Sequence, residues 1–233
     1  DPAHPTGAQL AASIGMLGYD RLELSMEGNS AYDPQAGRVY TTGENFLEIR
    51  DGIRLEVASD MGGYHEYLTA LAALSSQVLS DGEARDTATP LPAGKSVAEP
   101  ESESDMATAL MLEAIGSLSI NRIALRLEDL SLLERAIAAG AAGQGVTPEE
   151  MRAQAGLMVA GAMLGVPPEV PRALLAQVAT ALTNFVNQGG SLSIELAPLV
   201  PLIIGEMMSQ AEAGGIDFDA LGLTVVTEPP AGD

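Results

Sequence analysis

From Leu22 to Glu27, apolar Leu22, Leu24 and Met26 alternate with polar Glu23, Ser25 and Glu27. A period of two puts one set on each side of a strand, so the pattern predicts a strand over 19–27 with one apolar and one wet face. Ile53, Leu55 and Val57 against Arg54 and Glu56 predict another over 53–59. Residues 38–48 are read as the strand between them. Asp33-Pro34-Gln35-Ala36-Gly37 predicts the turn leading into that strand, with Pro presetting φ and Gly accepting a positive φ. Arg50-Asp51-Gly52 predicts the tight hairpin that leaves it. The three strands read as an antiparallel meander with one solvated face. A Leu- and Ala-rich helix is predicted over 62–80.

The alternation returns later in the chain. Leu17–Glu27 runs nearly in step with Leu118–Glu128, with Arg21 on Arg122, Asp20 on Asn121, Leu24 on Leu125 and Glu27 on Glu128. Gly52–Ala58 echoes Gly190–Ala197 if one residue is inserted. Two duplicated strand units are therefore expected. Within the strand predicted over 117–129, the apolar residues change parity, from Leu118 and Ile120 to Ile123, Leu125 and Leu127. That change predicts a β-bulge near Asn121-Arg122. Helices are predicted over 131–142, from Thr147 to Leu164, from Pro167-Pro168 to Gln188, and over 199–213. Thr147-Pro148-Glu149-Glu150 carries a capping box, with Thr as N-cap, Pro at the first helical position and Glu150 reaching back. Strands are predicted over 191–197 and 221–227.

This pattern gives an α+β class. We expect a twisted antiparallel sheet of two duplicated strand units, backed on one face by Ala/Leu/Met-rich helices. Residues 1–80 form a first half of β-meander plus helix. Residues 81–105, rich in Gly, Pro, Ser, Thr and acids, read as a flexible acidic linker. Residues 106–233 form a second half carrying a three-helix insertion, and the halves make one combined fold.

Composition narrows the function classes. Of 233 residues 46% are hydrophobic, so the chain as a whole is not disordered. Only 3% are aromatic, so Leu, Ile, Val, Met and Ala must build the core. The formal charge is −21, from 32 acidic and 11 basic residues. Neutralising phosphates takes Lys and Arg, and no basic stripe exists, so nucleic acid is excluded as a partner. Electrostatic docking on an anionic membrane is excluded on the same ground. A basic protein partner suits the charge. There is no Cys, which rules out disulfides, thiolate metal sites and Cys nucleophiles. No apolar run reaches the roughly 18 residues of a transmembrane helix. The start at Asp1-Pro2-Ala3-His4-Pro5 without an initiator Met is read as a trimmed chain or the mark of a removed signal peptide or anchor.

Catalytic constellations are thin. The only histidines are His4, in a loose terminus, and His65, beside Glu66 at a helix start. Adjacent residues do not share a helical face, so His65 and Glu66 make a poor acid–base pair. A hydrolase using them is the weakest of three readings. G-x-S-x-G is absent, and Gly94-Lys95-Ser96 lacks the earlier glycine of a phosphate loop. Asp217 and Asp219 supply too few oxygens for Ca²⁺. The expectation is no catalytic residue, no metal and no cofactor.

What remains is apolar helix surface. Ala136–Gly143 and Gly156–Gly165 are small and greasy, and helix 168–188 carries a wide stripe of Leu174, Leu175, Val178, Leu182, Phe185 and Val186. Leu22–Met26 and Ser191–Leu196, each followed by Ala-rich helix, make the outline resemble bacterial envelope proteins of the AsmA and YdgA kind. The resemblance implies a periplasmic or otherwise exported protein linked to envelope lipid handling, and it transfers no functional residue. The first reading is thus a non-enzymatic exported protein binding an apolar small molecule or lipid between sheet and helices. Met158, Met163, Leu175, Val178, Leu182, Met207 and Met208 are its candidate lining. The second is a structural or adaptor subunit of an envelope complex whose acidic sheet face, with Glu23, Glu27, Glu56 and Glu195, meets a basic partner.

Overall fold

The structure, a computed structural model, describes residues 14–73, 75 and 101–230. The terminus 1–13, the end of the helix predicted over 62–80 and most of the linker lie outside the described residues. The strands are β1 (Leu24–Glu27), β2 (Ser30–Asp33), β3 (Arg38–Thr41), β4 (Phe46–Ile49), β5 (Ile53–Gly62), β6 (Ser119–Asp129), β7 (Gly190–Leu196), β8 (Leu202–Ile203) and β9 (Leu223–Glu228). The helices are α1 (64–73), then α2 (Glu101–Gly116), α3 (Leu132–Gln144), α4 (Pro148–Leu164), α5 (Arg172–Gln188) and α6 (Ile204–Glu212).

All nine strands belong to one antiparallel sheet with the main order β1-β4-β5-β6-β7-β9. The fold is α+β. β5 and β6 pair along their whole lengths at its centre, so the two halves of the chain share a single sheet. The outer side of β5 is divided between β4 and β3, and that of β6 between β7 and β8. The echoed segments occupy unequal places. β1 is an edge strand on β4, whereas β6 is central and pairs with both β5 and β7. Alternation is what any half-buried strand requires, so a shared pattern did not carry a shared topology.

Local chemistry explains most element bounds. The predicted turn forms: the Asp33 carboxylate accepts the Gln35 and Ala36 N–H groups at 2.9 and 3.1 Å. The strand expected over 38–48 is two strands. Gly43 turns the chain at φ +64°, and the Asn45 amide ties the loop by donating to the Thr42 carbonyl at 3.1 Å. β2, which pairs with β3, had no predicted counterpart. The bulge is present. Asp60 faces Arg122 and Met61 faces Ile120, leaving Asn121 as the extra residue. Its amide donates to the Asp60 carboxylate at 2.9 Å.

Thr147 caps α4 as expected: its hydroxyl accepts the Glu150 N–H at 3.2 Å while the Glu150 carboxylate accepts the Thr147 N–H at 2.8 Å. Three starts differ. α5 begins after Pro171, because Pro167–Val170 closes a turn of its own. α6 begins at Ile204, because Leu202 and Ile203 pair with β6 as β8. α2 begins at Glu101, inside the expected linker.

The core lies where α5 crosses the sheet. Ala181 and Phe185 of α5 pack on Leu192 of β7 and Val225 of β9, with Leu127, Leu133, Val178 and Leu182 around them. α4 packs against α5 and α3 and stands off the sheet.

Candidate functional site

Residues directly opposite in neighbouring strands point to the same side, so the register assigns every strand residue to a face. One face carries the row Met26, Leu47, Leu55, Leu127, Leu192. The next row holds Val57, Leu125, Ile194 and Val225. The other face carries Glu48, Arg54 and Glu128 in one row and Glu56, Arg126 and Ser193 in the next. The sheet is therefore apolar on one side and charged on the other.

α5 covers only part of the apolar side. Beneath it Leu192 and Val225 are 7% and 6% exposed, while Val57, Leu125 and Ile194, in the row of Val225, remain 37–38% exposed. Towards the β1 edge, Leu47, Leu24 and Met26 are more exposed still, Met26 at 78%. An apolar shelf thus runs from the flank of α5 across β7, β6, β5 and β4 to β1. Its residues are contributed by strands far apart in sequence, which is why helix stripes alone did not reveal it. The signal was present in the alternation of 53–59, 123–127 and 192–196, but the register that aligns them was not.

The charged side is a network. Arg54 lies 3.9 Å from the Phe46 ring centroid and donates to Glu48, Glu56 and Glu44 at 2.9–3.1 Å. Burial alone would lower its hold on the proton, but the hydrogen bonds to Glu48, Glu56 and Glu44 outweigh this and raise the guanidinium above its usual value. Arg126 lies 3.1 Å from Glu128 and 3.6 Å from Glu56, and Arg122 lies 2.6 Å from Glu195. A groove of about 470 Å³ opens over this face around Ala58, Ala124 and Ser193, with the three arginines at its sides. Of the acids expected to meet a basic partner, Glu56 and Glu195 are paired in this network, and Glu23 is paired with Arg21 and Arg50. Among the described residues Glu27 accepts only from the Asn29 amide, at 3.0 Å.

The seven residues expected to line an apolar cavity are dispersed. Val178 and Leu182 belong to the core under α5. Leu175 and Met163 are half-buried on α5 and α4, and Met158 faces solvent on the outer side of α4. Met207 lines a separate apolar cleft of about 420 Å³ with Leu199, Leu202, Ile216 and Leu221, while its neighbour Met208 is exposed. Consecutive helical residues diverge by about 100°, so Met207 and Met208 cannot share one lining. α5 also lies directly on the sheet, and its stripe is spent in packing rather than in bounding a cavity.

Among the described residues, no group of three or more His, Asp or Glu is placed to hold a metal ion. His65 and Glu66 are exposed at the start of α1. The Asp217 carboxylate accepts the Asp219 and Ala220 N–H groups at 3.1 and 3.2 Å, so it shapes a turn. No described helix is long and apolar enough to cross a membrane.

No curated protein matches the chain. A family model described as "Uncharacterized protein" matches residues 46–228. That span begins at the first residue of β4 and ends at the last of β9, so it takes in the shelf's central strands, α5 and the charged network, and leaves β1–β3 outside. The chain belongs to this family of uncharacterized proteins, matched over β4 to β9.

Proposed function

We propose that this protein is a non-enzymatic binding protein for an apolar ligand of the lipid class. The ligand lies on the open part of the apolar sheet face, along the flank of α5. The observation that carries the reading is the contrast within one row: Val225 is buried under α5 while Ile194, Leu125 and Val57 in line with it are not. An uncovered apolar area of this kind is costly in water unless something covers it. An acyl chain lying across β5, β6 and β7 would cover it without needing a polar partner. The exported setting belongs to the same proposal and rests on the resemblance to bacterial envelope proteins. The adaptor reading keeps the support of the −21 net charge, but most of the acids it named are paired within the chain.

Native mass spectrometry of freshly purified protein, followed by solvent extraction, tests the reading. A lipid is expected at near one per chain, and Leu125→Lys should lose it, since Leu125 lies outside the core cluster. A bare mass, with no uptake from phosphatidylcholine vesicles, would defeat the proposal. So would a lipid that Leu125→Lys retains in full.

A further inference from the structure

Among the described residues β1 and β9, the two ends of the main strand order, are unpaired along their outer sides, yet the two are treated differently. In an antiparallel pair, residues alternate between those whose N–H and C=O face the partner strand and those whose groups face away. The Ala197 N–H donates to the Gly222 carbonyl at 3.2 Å, which fixes the phase for β9 and turns Leu223, Val225 and Thr227 outward. There the Val225 carbonyl accepts from the Gln177 side chain of α5 at 3.2 Å. A helix therefore guards that edge. On β1, the Arg50 N–H donates to the Glu23 carbonyl at 3.0 Å, so Glu23, Ser25 and Glu27 face β4 and Leu24 and Met26 turn outward. No hydrogen bond satisfies their outward groups among the described residues, and all four β1 residues are exposed. Among the described residues β1 has no Lys, no Pro and no covering helix; of the usual protections of an edge it carries only its four-residue length and the charge of Glu27.

We infer that β1 accepts an added strand from a partner protein, an extended segment in which apolar and basic residues alternate. Leu24 and Met26 lie on the apolar face, so the apolar residues of the added strand would extend the shelf. Ser25 and Glu27 lie on the charged face, where the rows already alternate in sign as Glu48–Arg54–Glu128 and Glu56–Arg126. Glu27 ends the row Glu27–Phe46–Glu56–Arg126, and a Lys or Arg opposite it would pair with its carboxylate. A second copy of this chain fits poorly. Two-fold pairing about Ser25 is the symmetric register that matches Leu24 with Met26 through their outward groups. It sets Glu23 opposite Glu27 of the other copy, and like charges directly opposite are destabilising. Two chains of −21 net charge also repel. This inference is independent of lipid binding.

The probe is a short fluorescent peptide of alternating valine and lysine, titrated into the full chain. Saturable binding is expected, with new exchange protection at the Leu24 and Met26 amides. Met26→Pro removes an outward N–H without touching the bonds to β4, a position where an edge strand tolerates Pro. It should weaken binding by roughly tenfold, the worth of about one hydrogen bond and its geometry. The same peptide N-methylated on alternate residues keeps its charge and should lose affinity by a similar factor. The inference is overturned by no binding up to about 1 mM, by equal binding of the methylated peptide, or by protection appearing at Leu223 and Val225 instead. A stable dimer in sedimentation that Met26→Pro dissolves would also overturn it, by assigning the edge to a second copy.

Discussion

Truncating Phe185 to Ala separates the covered from the uncovered half of the apolar sheet face. Phe185 is 9% exposed and sits on Leu192 and Val225, with Leu127 and Leu182 beside it. An aromatic side chain buried to this degree removes about 150 Å² from water, which at about 25 cal/mol/Å² is about 4 kcal/mol. Measured Phe→Ala costs of 3–5 kcal/mol agree, because the cavity left behind relaxes only in part. Leu125→Ala is the matched control. It lies on the same face, in the row of Val225, but is 37% exposed and outside the core cluster. Removing its side chain leaves no closed cavity, and its cost should stay near 1 kcal/mol. Urea unfolding followed by far-UV circular dichroism measures both, with the m-value as a check that the transition keeps its character. A domain of typical stability of about 5–15 kcal/mol survives Phe185→Ala but loses much of its margin. Similar costs for the two variants would refute the claim that α5 roofs one part of the sheet and leaves the other open. A Phe185→Ala cost under about 1 kcal/mol would refute the placement of α5 itself.

Two further substitutions test local statements. Gly63 has φ +75°, and a Cβ there would press into the Ser117 carbonyl that links α2 to β6. Gly63→Ala should therefore cost more than the roughly 1–2 kcal/mol of left-handed backbone alone, and a melting temperature within error of the parent would contradict the close approach. Thr147→Ala removes the hydroxyl that accepts the Glu150 N–H and should cost about 0.5–2 kcal/mol in urea unfolding. A neutral result would show that the reciprocal Glu150 bond caps α4 unaided.

Features that depend on neighbours in sequence were legible in the sequence. The capping box at Thr147, the hairpin at Arg50–Gly52, the turn at Asp33–Gly37 and the bulge at Asn121 each follow from a few adjacent side chains and their preferred dihedrals. The α+β class follows from the change of apolar period between strand-like and helix-like stretches. What the alternation could not carry was place. Leu24 and Leu125 stand in the same echoed pattern, yet one lies on an edge strand and the other at the centre of the sheet. The apolar stripe of α5 read as the wall of a cavity and is instead the core, because the helix lies flat on β7 and β9. Which apolar rows α5 covers, which arginine meets which glutamate across the charged face, and which sheet edge a helix guards were decided by strand register and helix docking. Those arise from contacts between residues tens of positions apart, such as Arg122 with Glu195 and Gln177 with Val225. A local pattern fixes the side of a strand on which a residue sits, and only the assembled sheet fixes what lies against that side.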